Sequence, residues 1–171
     1  MGQMINILKN AAVVLLITGN VSCQMIVNSE EVIEPIVPDD VVTVFFEEHL
    51  PPYSGMTSDC FFVDIDKKEN RCLIINSDED FRKNFSCSSN ILPVIDFKSY
   101  TLIIGQYYSL PGTAYSIVEQ KLIIESKKMD LNLFVRAPEG SYAVLSNLYY
   151  WGIYPKTNNK SISVNINYKS L

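Results

Sequence analysis

The pattern of apolar and polar positions along the chain predicts a fold built from β-strands. In residues 131–136, Leu131, Leu133 and Val135 face one way while Asn132 and Arg136 face the other. In residues 161–168, Ile162, Val164, Ile166 and Tyr168 alternate with Ser161, Ser163, Asn165 and Asn167. A period of two is typical of strands that bury one face and expose the other. Residues 100–108 (YTLIIGQYY) are mostly apolar and β-branched or aromatic, which predicts a buried strand.

Three further segments are rich in β-branched and aromatic residues, and each predicts a strand: residues 41–47, 61–65 and 71–75. One helix is predicted over residues 78–85. Ser77 is a suitable N-cap, Asp80 follows three residues later as in a capping box, and Phe81 and Phe85 share a helical face.

Turn-forming residues separate the later strands at hairpin intervals, at 126–130, 138–140 and 157–160. Consecutive strands joined in this way are expected to pair as a meander. The predicted fold class is therefore α+β and mostly antiparallel, a β-meander sheet or a small two-layer β fold with one short helix. We expect it to be a single domain over residues 41–171.

The first 22 residues have the architecture of a secretory signal peptide. Lys9 provides a positive charge, residues 11–19 (AAVVLLITG) an apolar core too short to span a bilayer, and Val21 and Ser22 a small-residue cleavage site. Cys23 follows, and the site resembles a bacterial lipobox, which implies that Cys23 is the lipid-attached N-terminus. An ordinary secreted protein cleaved nearby is the alternative. Acids and prolines over residues 23–40 predict a tether.

These features predict an exported protein that is lipid-anchored in the bacterial cell envelope, at the outer membrane or the cell surface. The chain carries a formal net charge of −5, which makes nucleic acid an unfavourable partner. No later segment is long and apolar enough to span a bilayer, so contact with a membrane would depend on the lipid.

The cysteines allow two interpretations. Cys60 and Cys72 flank a predicted hairpin formed by residues 61–65 and 71–75, which could place them opposite each other as a disulfide. Buried, reduced cysteines are the alternative for Cys60, Cys72 and Cys87. A metal site is less expected, because no C-x-x-C spacing occurs and the single histidine, His49, is distant in sequence.

Recognisable catalytic motifs are absent from the sequence, including nucleophile elbows, zinc-protease motifs and phosphate-binding loops. His49 lies beside two acids and before two prolines, which favours a solvated histidine at the end of a strand. We therefore expect no catalytic residue, no metal and no cofactor.

Aromatic residues are concentrated in one segment near the C-terminus, at Tyr149, Tyr150, Trp151 and Tyr154. In a strand, Tyr149 and Trp151 share one face while Tyr150 and Tyr154 share the other. If the core buries only one face, the other presents rings that can bind a partner protein or stack on a sugar.

From residue 81 to 168 the chain resembles the C-terminal domain of PrcB-type proteins. The matching features are Asp96 and Phe97 four residues before an apolar strand, and then a Pro-Gly turn at residues 111–112 that leads to Tyr115. The family is associated with stabilising a cell-surface protease complex. The resemblance implies a non-enzymatic envelope protein that binds a protein partner, a protease or a surface assembly. A glycan-binding module that uses the aromatic strand and a small hydrolase that uses a carboxylate pair are the alternatives.

Overall fold

The computed structural model describes residues 31–36, 40–50, 59–64, 69–88, 91–110, 115–125, 128–137, 146–158 and 161–169. These residues form nine strands and two helices. In chain order they are β1 (Glu31–Ile33), α1 (Asp40–His49), β2 (Cys60–Phe62), β3 (Arg71–Ile75), α2 (Asp78–Asn84), β4 (Phe85–Cys87), β5 (Tyr100–Leu110), β6 (Ser116–Glu125), β7 (Lys128–Arg136), β8 (Ser146–Pro155) and β9 (Ile162–Tyr168).

The strands form three sheets, with strand orders β1-β6-β7-β9, β3-β5-β8 and β2-β4. Every pairing is antiparallel except that of β7 with β9, which is parallel. The predicted class, α+β with a mostly antiparallel sheet structure, is confirmed.

The predicted meander is correct only for the hairpin of β6 and β7. After β7 the chain crosses to the other large sheet, where β8 pairs with β5, and it returns so that β9 pairs with β7. The turn residues at 138–140 and 157–160 therefore lie between strands of different sheets. Local turn chemistry indicates that a strand ends, but it does not specify which strand pairs next.

The three-stranded sheet is the middle layer of the molecule. Ile103, Tyr150 and Tyr154 on one of its faces pack against the four-stranded sheet. Leu102 and Ile104 on the other face pack with α1, α2 and the β2-β4 ribbon. Because both faces are covered, β5 and β8 are apolar along nearly their whole length rather than alternating.

Residues 41–47, predicted as a strand, lie in helix α1. Val42, Phe46 and Leu50 recur every four residues and are buried, whereas Val41 and Val44 on the opposite side are exposed. Burial of this helical face outweighs the β-propensity of its valines and phenylalanines, because intrinsic propensities are small compared with tertiary packing.

The predicted tether is also partly wrong, because residues 31–36 belong to the folded domain. β1 pairs with β6, and the Ile36 amide donates a hydrogen bond to the Ile153 carbonyl in β8, with an N to O distance of 2.5 Å. This segment therefore connects the edges of the two large sheets on one side of the molecule. We refer to residues 31–36 as the closing segment.

Helix α2 confirms the predicted helix within one residue. The Ser77 side-chain oxygen accepts a hydrogen bond from the Asp80 amide at 3.1 Å, as an N-cap does. Strands β3 and β5 are also confirmed, and β2 covers the start of the strand predicted over residues 61–65. None of the described helices is long and apolar enough to cross a bilayer.

Candidate functional site

The aromatic strand proposed as a binding surface is β8, which lies in the middle sheet. Its alternation is as predicted, since Tyr150 and Tyr154 face the four-stranded sheet while Tyr149 and Trp151 face the helices. Of the four residues named as a possible binding surface, Tyr150 and Tyr154 are buried and cannot contribute to one, whereas Tyr149 and Trp151 are half-buried against the core. Both faces of β8 are covered because β8 pairs with β5 in the middle sheet instead of continuing the four-stranded sheet.

The buried hydroxyl groups of this strand have structural partners. The Tyr150 hydroxyl donates to the Arg71 carbonyl oxygen at 3.0 Å, and the Tyr154 hydroxyl accepts from Gln120 Nε2 at 2.6 Å. Burial raises the pKa of both tyrosines above its ordinary value. They are neutral groups that satisfy interior hydrogen bonds, and we assign them to the core.

The predicted disulfide between Cys60 and Cys72 is wrong. Cys60 is bonded to Cys87, 27 residues away in sequence, because β2 pairs with β4 and places these two residues directly opposite each other. Cys72 lies on β3, which pairs with β5, and it is a free thiol. Residues 61–65 and 71–75 do not form a hairpin, and the disulfide joins the two strands of a separate ribbon.

The Cys72 thiol is a poor nucleophile in its environment. Burial raises its pKa to about 11, and a hydrogen bond with Tyr150 only partly opposes this effect. Because the thiolate is the reactive form of cysteine, this shift keeps the Cys72 side chain in its neutral thiol form at neutral pH.

His49 is the last residue of α1, not a solvated residue at the end of a strand. Its Nδ1 atom lies 2.6 Å from Asp59 Oδ1, and its side chain is 26% exposed. The Asp59 carbonyl accepts hydrogen bonds from the amide and the hydroxyl of Ser88, at 3.0 and 3.1 Å, so the residue before β2 is tied to the end of β4.

Asp96, a residue on which the resemblance to PrcB-type domains rests, lies at the entrance of β5. Its carboxylate holds this entrance in place, because it accepts hydrogen bonds from the Lys98 amide at 3.1 Å and from the Ser99 hydroxyl at 2.7 Å. These hydrogen bonds lower the pKa of Asp96. The bond from the Ser99 hydroxyl has the largest effect, and the bond from the Lys98 amide follows. Cys23, the predicted lipid-attachment residue, and the Pro-Gly turn at residues 111–112 lie outside the described residues.

Among the described residues, no segment joins the two large sheets on the side opposite the closing segment. There β3 is the edge of the middle sheet and β9 is the edge of the four-stranded sheet. A cleft of about 590 Å³ lies between them, and we call it the β3–β9 cleft. Its lining residues are Cys72, Leu73, Ile74, Asn76, Asp80, Ser161 and Ile162.

The cleft combines apolar walls with polar groups near α2. Cys72, Ile74 and Ile162 are half-buried, while Asp80 and Ser161 are exposed. The Asn76 amide oxygen accepts a hydrogen bond from the Thr101 hydroxyl at 2.6 Å, and its carbonyl accepts from Lys156 Nζ at 2.9 Å. Within the described residues, no strand pairs with the outer edge of β3 or of β9. Such an edge offers backbone donors and acceptors to an added strand.

Sequence reasoning missed the β3–β9 cleft, because hydrophobic periodicity identifies strands but does not identify edges. No protein-family model, curated protein or solved structure matches this chain.

Proposed function

We propose that this chain is a non-enzymatic, exported and lipid-anchored protein of the bacterial cell envelope that binds an extended segment of a partner protein in the β3–β9 cleft. The observation that carries the proposal is the asymmetry of the two packed sheets. The closing segment joins their edges on one side, whereas on the other side no described segment joins β3 and β9, which flank the cleft.

An extended peptide is the occupant that best matches these edges. An added strand forms main-chain hydrogen bonds along the edge, and alternate side chains enter pockets beside it. β3 offers five residues and β9 seven, which are lengths that suit a short peptide strand. The half-buried residues Leu73, Ile74 and Ile162 would contact the apolar side chains of that peptide.

Two observations support export and the class of partner. The Cys60–Cys87 disulfide is typical of proteins that fold in an oxidising compartment, in agreement with the signal-peptide pattern of residues 1–22. The resemblance to PrcB-type domains supports a protease or a surface assembly as the partner.

Site-specific cross-linking tests the cleft. A photoreactive residue at Ser161, on the rim of the cleft, should cross-link a discrete polypeptide in intact cells, and Asp80→Lys should abolish that product. Glu79→Lys is the matched control, because Glu79 is also an exposed acid in the same helical turn but does not line the cleft. Equal loss of the product in both variants would contradict binding in the cleft.

Hydrogen exchange then distinguishes strand addition from other binding modes. The purified complex should protect backbone amides of β3 and β9, since a peptide strand pairs with the main chain. A glycan that binds through side chains would leave those amides unchanged, and that result would exclude strand addition.

Detergent-phase partitioning tests the lipid anchor. The wild-type protein should enter the detergent phase and Cys23→Ala should remain in the aqueous phase, because acyl chains provide the membrane affinity. Mass spectrometry of the mature N-terminus should show an acylated Cys23. Identical partitioning of the two proteins would contradict a lipid anchor at Cys23.

A further inference from the structure

His49, Asp59 and Cys60 converge where α1 meets the β2-β4 ribbon. One ligand atom from each, an imidazole nitrogen, a carboxylate oxygen and a sulfur, lie within 4.8 Å of one another. Cys87 Sγ is bonded to Cys60 Sγ, so a second sulfur adjoins this group of three ligand atoms. Three side chains of the types that bind zinc in proteins therefore meet at one place, and the Cys87 sulfur is joined directly to one of them.

The positions of these groups are held by the surrounding structure. Cys60 and Cys87 are each only 2% exposed and belong to the core between the helices and the middle sheet. The Phe45 ring packs on the His49 ring, with centroids 4.5 Å apart, and the bonds from Ser88 fix the Asp59 backbone. Because the ligand atoms are already held close together, binding a metal ion here requires less free energy to order them.

We propose that His49, Asp59, Cys60 and Cys87 bind one zinc ion when the Cys60–Cys87 bond is reduced. A dithiol reductant supplies two electrons and two protons, the S–S bond breaks, and the reductant becomes a disulfide. Zinc then binds the two sulfurs as thiolates, and the two thiol protons are released to solvent. An imidazole nitrogen, a carboxylate oxygen and two sulfurs complete a tetrahedral set.

The disulfide and the metal are therefore alternative links at the same point. Thiolate is the form of cysteine that binds metals, and sulfurs bonded to each other cannot both become thiolates. The oxidised protein holds β2 to β4 covalently. The reduced protein would hold the same strands, and the end of α1, through the ion.

The test uses the full chain with Cys23→Ala and Cys72→Ala, so that Cys60 and Cys87 are the thiols that remain. The protein is reduced with a dithiol, freed of reductant without oxygen, and titrated with Zn²⁺ and, separately, with Co²⁺. We expect one ion per chain after reduction and none before it, with the absorption of a thiolate-to-cobalt charge transfer. His49→Gln and Asp59→Asn should each weaken binding by more than about tenfold, the size seen when even an outer partner of a metal site is lost.

Glu48→Gln is the matched control, because Glu48 is an exposed acid next to His49 and should leave the affinity unchanged. Equal binding by the oxidised protein overturns the proposal, and so does binding that is indifferent to His49 and Asp59. If circular dichroism shows that the reduced chain unfolds, zinc should restore the folded spectrum, since metal binding and folding are then coupled. A reduced chain that zinc neither binds nor refolds also overturns it.

Discussion

At the scale of single residues, the absence of a side chain at Gly105 leaves the space that the Tyr150 ring occupies on one face of the middle sheet. The Tyr150 side chain lies over Gly105 and reaches the Arg71 carbonyl, and a Cβ atom at Gly105 would overlap both the Tyr150 phenol and that carbonyl oxygen. Neither group can move away easily, because Tyr150 is 2% exposed and Arg71 O belongs to the backbone of β3.

Gly105→Ala should therefore lower the free energy of unfolding by about 1–3 kcal/mol, the usual cost of overpacking a core. Urea denaturation measures the change. Val118→Ala, at an exposed position of β6, serves as the control and should cost less than about 1 kcal/mol. Equal effects of the two substitutions would show that the core adjusts around the added methyl group.

Glu119 links two lysines on the outer face of the four-stranded sheet. Lys121 Nζ lies 2.5 Å from its carboxylate, Lys169 also binds it, and both ammonium groups lie over the Phe134 ring. The hydrogen bond from Lys121 and then that from Lys169 lower the pKa of Glu119 from 4.5 to about 2.

A carboxyl group whose pKa is lower in the folded state stabilises the fold above its unfolded pKa, and that contribution is lost as the pH falls through the folded pKa. The stability difference between the wild type and Glu119→Gln should therefore shrink as the pH falls from about 5 to about 2. Denaturation curves at several pH values test this. A difference that is constant over this range would contradict the pairing.

At the scale of elements, the β2-β4 ribbon depends on the Cys60–Cys87 bond because each strand is only three residues long. Such short strands contribute few backbone hydrogen bonds. The disulfide also closes a loop that contains β3 and α2, since these elements lie between Cys60 and Cys87 in sequence.

Replacing both cysteines with alanine should lower stability by roughly 3–4 kcal/mol, from the closure entropy of a loop of this length in the unfolded chain. Cys72→Ala is the control, because it removes a sulfur atom and leaves the disulfide intact. Peptide mapping of the non-reduced protein should recover a Cys60–Cys87 linked peptide. A Cys60–Cys72 peptide would show that the strand pairing is different.

At the scale of the whole molecule, the closing segment determines which edges of the two packed sheets are joined, because it pairs with β6 and bridges to β8. Val32 is 55% exposed, whereas Ile33 packs against the core between the sheets and Ile36 bridges to β8. A tether would contribute nothing to stability, but a paired segment should.

A chain that begins at residue 40 should be less stable than one that begins at residue 23, by about 1–2 kcal/mol, or roughly 2–8 °C in Tm for a domain of this size. Val32→Thr in the longer chain is the control and should melt near the wild-type temperature, because Val32 faces solvent. Equal Tm values for the two chain lengths would mean that β1 adds no net stability.

Local patterns were sufficient for several elements. Alternation identified β7 and β9, the apolar run identified β5, and the Ser77 cap identified α2. In each case the signal is a property of neighbouring residues, namely periodicity or a capping hydrogen bond, so it can be recognised without knowing the fold.

Only the tertiary structure decided which strands pair and which faces are buried. α1 is helical because the core covers Val42 and Phe46, and β8 is buried on both faces because it lies in the middle sheet. The same long-range pairing joins Cys60 to Cys87, brings His49 to Asp59, and leaves β3 and β9 as edges. The Cys60–Cys87 and His49–Asp59 contacts link residues that are 27 and 10 positions apart, and the Tyr150–Arg71 hydrogen bond spans 79, so their energies depend on the whole chain rather than on any local pattern.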